Sequence, residues 1–180
     1  MRFRVTSVGA LVCCLALAVS ACGGSKKPAT AGGPRPGLPS GAADPCRLAT
    51  PAQVKAAVGA PVASPLRSSV EGAGGTVLTC TWRGTADNPE SVAELDVYPS
   101  TAAFDDARKT QSAAASGSGF RDLPGVVSGN GNAAFAGEQG IVWVRKGPSA
   151  FTVHWFDPKN ALPATVAKGA ALAKVVAARF

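Results

Sequence analysis

His154 is the single histidine of the chain. It stands in an alternating stretch where Thr152, His154 and Phe156 share one face and Phe151, Val153 and Trp155 the other. An imidazole in such a place serves as a general base or pH sensor when a nucleophile or a further ligand stands beside it. The chain holds no GxSxG and no SxxK motif, and no second histidine to complete a metal set, so His154 reads as an ordinary strand residue. Glu94 and Asp96 lie two apart on one face of Val92–Tyr98, a spacing that suits acid and base work or cation binding. Alternation with Ala93, Leu95 and Val97 already requires polar residues there, so the pair reads as a solvated face. Trp143 and Trp155 either flank a pocket for a hydrophobic or sugar ligand or fill the covered side of a sheet, and core packing is the default for hairpin aromatics. Trp143, Trp155 and His154 are therefore the candidate ligand-pocket residues. Gly129–Ala134 matches GxGxxA, but a dinucleotide loop must open a helix, whereas Gly137, Gly140 and a strand follow, so a turn is expected and no cofactor.

The elements that would position these residues follow from periodicity and capping. Thr50 and Gln53 form a capping-box pair around Pro51, and Gly59 supplies the stop, which predicts a helix over Pro51–Val58. Val62–Val70 reads as a strand interrupted by Pro65, followed by a turn over Gly72–Gly75. Thr76–Arg83 alternates with Leu78, Cys80 and Trp82 inward. Ser100 is placed to cap a helix reaching Ala114, with an Asp105–Lys109 pair and a flexible stop over Ser116–Gly119. Ile141–Arg145 and Ala150–Phe156 form a hairpin around the four residues Lys146–Ser149. The last helix is capped by Asn160 and has Pro163 in its first turn. Its stripe is Leu162, Val166, Ala170, Ala173, Val176 and Phe180, with Lys168, Lys174 and Arg179 on the other side. It reads as a lid on the sheet rather than a membrane-surface helix.

Arg2 and Arg4 precede the apolar run Val5–Val19, which is shorter than the roughly 20 residues of a spanning helix and has the plan of a signal peptide. The run closes on Val19-Ser20-Ala21-Cys22, which resembles the lipobox of bacterial lipoproteins. That resemblance implies diacylglyceryl alkylation of the Cys22 thiol and cleavage just before it. Ordinary secretory cleavage also accommodates Val19 and Ala21, but leaves Cys22 as an unexplained exposed thiol. Either route puts the rest of the chain outside the cytoplasm. The expected organisation is a signal over residues 1–21, lipidated Cys22 with a disordered Gly/Pro/Ser/Ala linker over 22–43, and one domain over 44–180.

The formal net charge is +7, two units of which belong to Arg2 and Arg4. Lys and Arg are otherwise scattered, with adjacent pairs only at Lys26-Lys27, Arg108-Lys109 and Arg145-Lys146, so no nucleic-acid stripe is present. The expected partner is the membrane, reached through the lipid, with Lys26 and Lys27 beside anionic headgroups.

Once signal and lipid site are set aside, Cys46 and Cys80 remain, and an oxidising compartment implies that they form one bridge. Closing a loop of about 35 residues stabilises the fold by roughly 3.8 kcal/mol in the chain-entropy account. A metal pair fails on ligand count.

The segment DPCRLATPAQVKAAVGAP (Asp44–Pro61), followed by Cys80-Thr81-Trp82, resembles actinobacterial lipoproteins of unknown function. These open on a DPC-x-L-x-T helix and carry a second cysteine two residues before a Trp. Leu123-Pro124-Gly125, Asn132-Ala133-Ala134-Phe135 and the last helix extend the likeness over most of Asp44–Phe180. The resemblance implies a disulfide-stapled α+β lipoprotein domain and carries no catalytic residues to transfer.

The expected fold is α+β, a mostly antiparallel sheet of about five or six strands with helices packed on it and one disulfide. The expected role is a lipid-anchored, noncatalytic binding or sensor module of the cell envelope, with an envelope protein, lipid or glycan as ligand. A structural or assembly partner of another envelope protein is the alternative. An extracytoplasmic hydrolase or transferase is the least favoured, because no nucleophile and base arrangement is recognisable.

Overall fold

A computed structural model describes residues 43–72, 74–114 and 119–180. The expected signal, Cys22, nearly all of the expected linker, and residues 116–118 of the flexible stop expected over Ser116–Gly119 lie outside the described residues. Twelve elements follow one another: α1 (Pro45–Leu48), α2 (Pro51–Val58), β1 (Leu66–Gly72), β2 (Gly75–Arg83), β3 (Val92–Tyr98), α3 (Ala102–Ala113), β4 (Arg121–Asp122), β5 (Ala133–Ala136), a 3-10 turn (Glu138–Gly140), β6 (Val142–Lys146), β7 (Ser149–Phe156) and α4 (Leu162–Ala177). The strands form one antiparallel sheet in the order β1-β2-β3-β7-β6-β5-β4. Two meanders thus meet at β3 and β7, joined in sequence through α3.

The α+β expectation holds, with seven strands rather than five or six. The additional ones are β4 and β5. Ala133–Ala136 has neither β-branched residues nor alternation of its own, and its extended state comes from pairing with β6, Phe135 opposite Trp143.

Local rules account for the first helices. Asp44 Oδ1 accepts from Cys46 N at 3.1 Å and starts α1. At α2 the expected box is complete: Gln53 N donates to Thr50 Oγ1 at 3.3 Å and Thr50 N donates to Gln53 Oε1 at 3.0 Å. Gly59, at φ +73°, takes the left-handed conformation that closes the helix.

The sheet carries two cores. One face presents Leu78, Cys80, Trp82, Ala93, Leu95, Val97, Val142, Val144, Phe151, Val153 and Trp155 to α1, α2 and α4, all in one buried cluster. Cys46 and Cys80 are bonded there, with Cα atoms 5.2 Å apart and a sequence separation of 34. The other face packs Phe135 and Ala150 against Phe104 of α3, with Tyr98, Phe120 and Trp143 around them.

Several expected boundaries move, each for a physical reason. The strand read over Val62–Val70 is split: Val62 makes only an isolated bridge to Gly84, and β1 begins after Pro65, which has no N–H to donate to a ladder. Helix α3 starts at Ala102 with Thr101 at its cap and no side-chain cap bond, so Ser100 is not its cap. Asp105 pairs across to Arg145 at 2.8 Å rather than along the helix to Lys109. The hairpin loop is two residues, not four, since Lys146 still pairs with Ser149. Gly147 at φ +59° followed by Pro148, whose φ is necessarily negative, meets the glycine requirement of a type II′ turn.

Helix α4 begins after Ala161, not Asn160, whose Oδ1 lies 3.4 Å from Lys168 Nζ instead. Its buried stripe runs through Thr165, Val166, Gly169, Leu172, Ala173 and Val176, while Leu162 is exposed and Ala170 half-buried. Gly169 turns the stripe, because a Cβ there would stand 3.2 Å from Val142 Cγ2 and hold the helix off the sheet. Lys168, expected on the solvent side, lays Nζ over the Trp155 ring, 5.8 Å from its centroid. No helix among the described residues is long and apolar enough to cross a membrane.

Candidate functional site

Alternation in β3 and β7 sends Glu94, Asp96 and Tyr98 to the same side of the sheet as Thr152, His154 and Phe156. The register sets Glu94 opposite His154 and Asp96 opposite Thr152. On the other flank β2 supplies Thr79 opposite Asp96 and Thr81 opposite Glu94. Among the described residues, helix α3 packs over β6 and β7 on this side, and no helix packs to the same extent on the β1–β2–β3 half there. The result is a half-covered face with a row of polar groups along the margin of the helix.

Asp96 is clamped from both neighbouring strands: Thr79 Oγ1 donates to Oδ1 at 2.6 Å and Thr152 Oγ1 donates to Oδ2 at 3.1 Å. Thr152 also acts on the Tyr98 phenol and pulls its pKa down, but less strongly than burial and the Asp96 charge push it up. Burial, reinforced by the Asp96 charge, pushes the Tyr98 phenol above its ordinary value and keeps it neutral. Glu94 is also raised from the usual carboxylate range, first by burial and then by repulsion from Asp96, against the lowering effects of His154 and a hydrogen bond from Thr81.

His154 Nε2 lies 3.2 Å from the Gln139 carbonyl oxygen. A carbonyl only accepts, so Nε2 carries the proton and donates, and in the neutral ring Nδ1 is left as the acceptor. Gln139 is the only non-glycine residue at positive φ (57°) among those described. Its strained backbone holds the oxygen against the imidazole.

The three residues singled out as a pocket do not come together. Trp143 pairs with Thr152 and therefore shares the His154 side, whereas Trp155 alternates with His154 on β7 and is fully buried on the opposite face. The space between α4 and the β6–β7 hairpin is filled by Trp155, Phe151, Val142, Val144 and Leu172. No single cavity joins the two indoles. Trp143 is stacked on Tyr98 at 5.6 Å and on Phe135 at 6.2 Å between ring centroids. It borders a cleft of about 420 Å³ beside α3, with Asp106, Thr110, Gln111 and Glu138 among its polar lining. The Trp143 indole N–H has no acceptor, but neither have those of Trp82 and Trp155 in the packed core, so that feature does not distinguish the cleft.

A second hollow of about 380 Å³ lies at the end of α4 between Lys146, Lys174 and the 124–128 loop. Lys146 Nζ donates to the Ala177 carbonyl at 2.6 Å, so this lysine is occupied in capping α4.

Chemically, the row on the half-covered face offers hydrogen-bond donors and acceptors held in fixed positions. Thr152, the hydroxyl two residues from His154, is committed to Asp96, and no group of three His, Cys, Asp or Glu side chains that would hold a metal converges among the described residues. The Thr79–Asp96–Thr152 network and the Gln139 carbonyl escaped the sequence reading. The available signal was the polar side of each strand, but nothing local says that β3 lies beside β7. No family model matches the chain, and comparison with curated proteins and with solved structures gives no match.

Proposed function

We propose that this chain is a lipid-anchored protein of the bacterial cell envelope, tethered at Cys22 and facing outside the cytoplasm, and that it works as a noncatalytic binding module. The lipobox-like Val19–Cys22 supports the anchor, and the Cys46–Cys80 bond agrees with an oxidising compartment.

The observation that carries the binding role is the cleft beside α3, where Trp143 adjoins the fixed row Tyr98, Asp96 and Thr152. Its size falls in the range of small-ligand sites. The carboxylates of Asp106 and Glu138 and the Thr110 hydroxyl in its lining favour a polyhydroxylated ligand such as an envelope glycan over a lipid tail, which would cover these groups without pairing them. Thermal-shift titration of the full chain with soluble envelope glycan fragments and with short-chain lipids tests this. Stabilisation by glycans that is lost in Trp143→Ala supports the reading, and stabilisation by lipids alone overturns it. Intact-mass analysis of the membrane-extracted protein tests the anchor: a mass starting at Cys22 plus acyl chains is expected, and an unmodified chain retained from Met1 contradicts it.

A second reading is docking of another envelope protein. The filled space under α4 supports it, since recognition is then confined to the surface, as does exposed Phe156 at the end of β7, beside His154.

A further inference from the structure

The sheet ends on one side with β4, a strand of only two residues, and on the other with β1, a strand of seven. Among the described residues β1 is paired only to β2, in an unbroken register from Leu66 opposite Thr81 to Gly72 opposite Gly75, so no bulge twists its free edge away. Residues 66–71 are all exposed, including Leu66 at 58% and Val70 at 63%. The side chains on the α3 side of the sheet, Leu66, Ser68 and Val70, carry no charge, and the strand contains no proline. The usual devices that keep an edge from accepting another strand are therefore missing from that side.

We infer that the occupant of this edge is a second copy of the chain, whose β1 pairs antiparallel with the first about Ser69. A two-fold axis normal to the sheet keeps its faces matched, so only residues of the same face can oppose each other. Among the registers this allows, the one centred on Ser69 overlaps all seven residues, Leu66 meeting Gly72 of the second copy. The same register sets Arg67 against Glu71 of the second copy, and by symmetry does so twice. This charge complementarity is what selects a like strand over an unrelated one. Arg67 is ion-paired to Asp44 through Nη2, and its guanidinium has donors left for a second carboxylate. Glu71 is steadied by Thr76 Oγ1, which donates to it at 2.8 Å. On the α3 side Ser68 meets Val70, so no like charges oppose each other. The pairing joins two seven-stranded sheets into one and removes the long free edge from each copy. It goes beyond the glycan cleft, which lies beside α3, and stands whether or not that cleft binds a ligand.

The test is made on the full chain in mild detergent. Ser69 opposes itself across the axis, so Ser69→Cys should form an intermolecular disulfide on mild oxidation. Ser128→Cys, equally exposed but on a distant loop, reports random collision within a micelle. Sedimentation velocity of the wild-type chain should give a dimer. Glu71→Lys should weaken it by roughly tenfold, and the exchange R67E/E71K should recover most of that loss. A monomer at every concentration, crosslinking of the Ser69 variant no faster than the Ser128 variant, or a dimer indifferent to Glu71→Lys overturns the inference.

Discussion

Glu94 and His154 stand directly opposite each other across β3 and β7, with the Gln139 carbonyl oxygen 3.2 Å from the far ring nitrogen. The carboxylate is thus flanked by an imidazole on one strand and, two residues along its own strand, by Asp96. Burial and Asp96 raise its pKa above 4.5 despite the opposing pull of the imidazole. A carboxyl whose folded value is raised contributes stability below its unfolded value, and that contribution is lost as pH rises through the folded value. Glu94→Gln should therefore gain on the wild type as pH climbs above 4.5, and the gain should level off once the carboxyl is fully ionised. Urea midpoints of both proteins between about pH 4 and pH 8 check this, and two parallel curves would contradict it.

The Cys46–Cys80 bond closes a segment containing α2, β1 and most of β2. Replacing both cysteines by alanine should lower unfolding free energy by about 4 kcal/mol, within the 2–5 kcal/mol range of native bridges in small secreted domains. Denaturation of the wild type with and without a reductant should show the same difference. A loss below about 1 kcal/mol would mean that the unfolded chain is already restricted in this region.

The two indoles on opposite faces should behave differently on truncation. Trp155 is fully buried beneath α4, so Trp155→Ala should cost about 3–5 kcal/mol. Trp143 is only half-buried at the margin of α3 and engages two rings, so Trp143→Ala should cost about 1–3 kcal/mol. Equal losses in equilibrium unfolding would argue against their placement on separate faces.

Helix caps separate two threonine and serine positions that look alike in sequence. Thr50→Ala breaks the box on α2 and should cost about 1 kcal/mol. Ser100→Ala should stay within about 0.5 kcal/mol, because the cap position of α3 falls one residue later, at Thr101. Thermal unfolding of the two variants side by side measures the contrast.

Much of the fold was legible because its signals are local. The Thr50–Gln53 box, the stop at Gly59 and the inward set Leu78, Cys80 and Trp82 depend only on side-chain chemistry and the two-residue period of a strand. The same period separated His154 from Trp155. Errors arose where a neighbour overrode local preference: Ala133–Ala136 is extended by β6, Asp105 turns to Arg145, and Gly169 rotates the buried stripe of α4.

By itself the chain of residues determined the two faces of each long strand and the core side of the sheet. Only the tertiary structure decided that β3 lies against β7, bringing Glu94 to His154 and Asp96 to Thr152 from segments far apart in sequence. It also decided that Trp143 and Trp155 never meet, and that β1 is left as a long free edge. Alternation is a property of a residue and its immediate neighbours, whereas strand order is chosen by burying two apolar surfaces distant in sequence, and no short stretch of residues carries that choice.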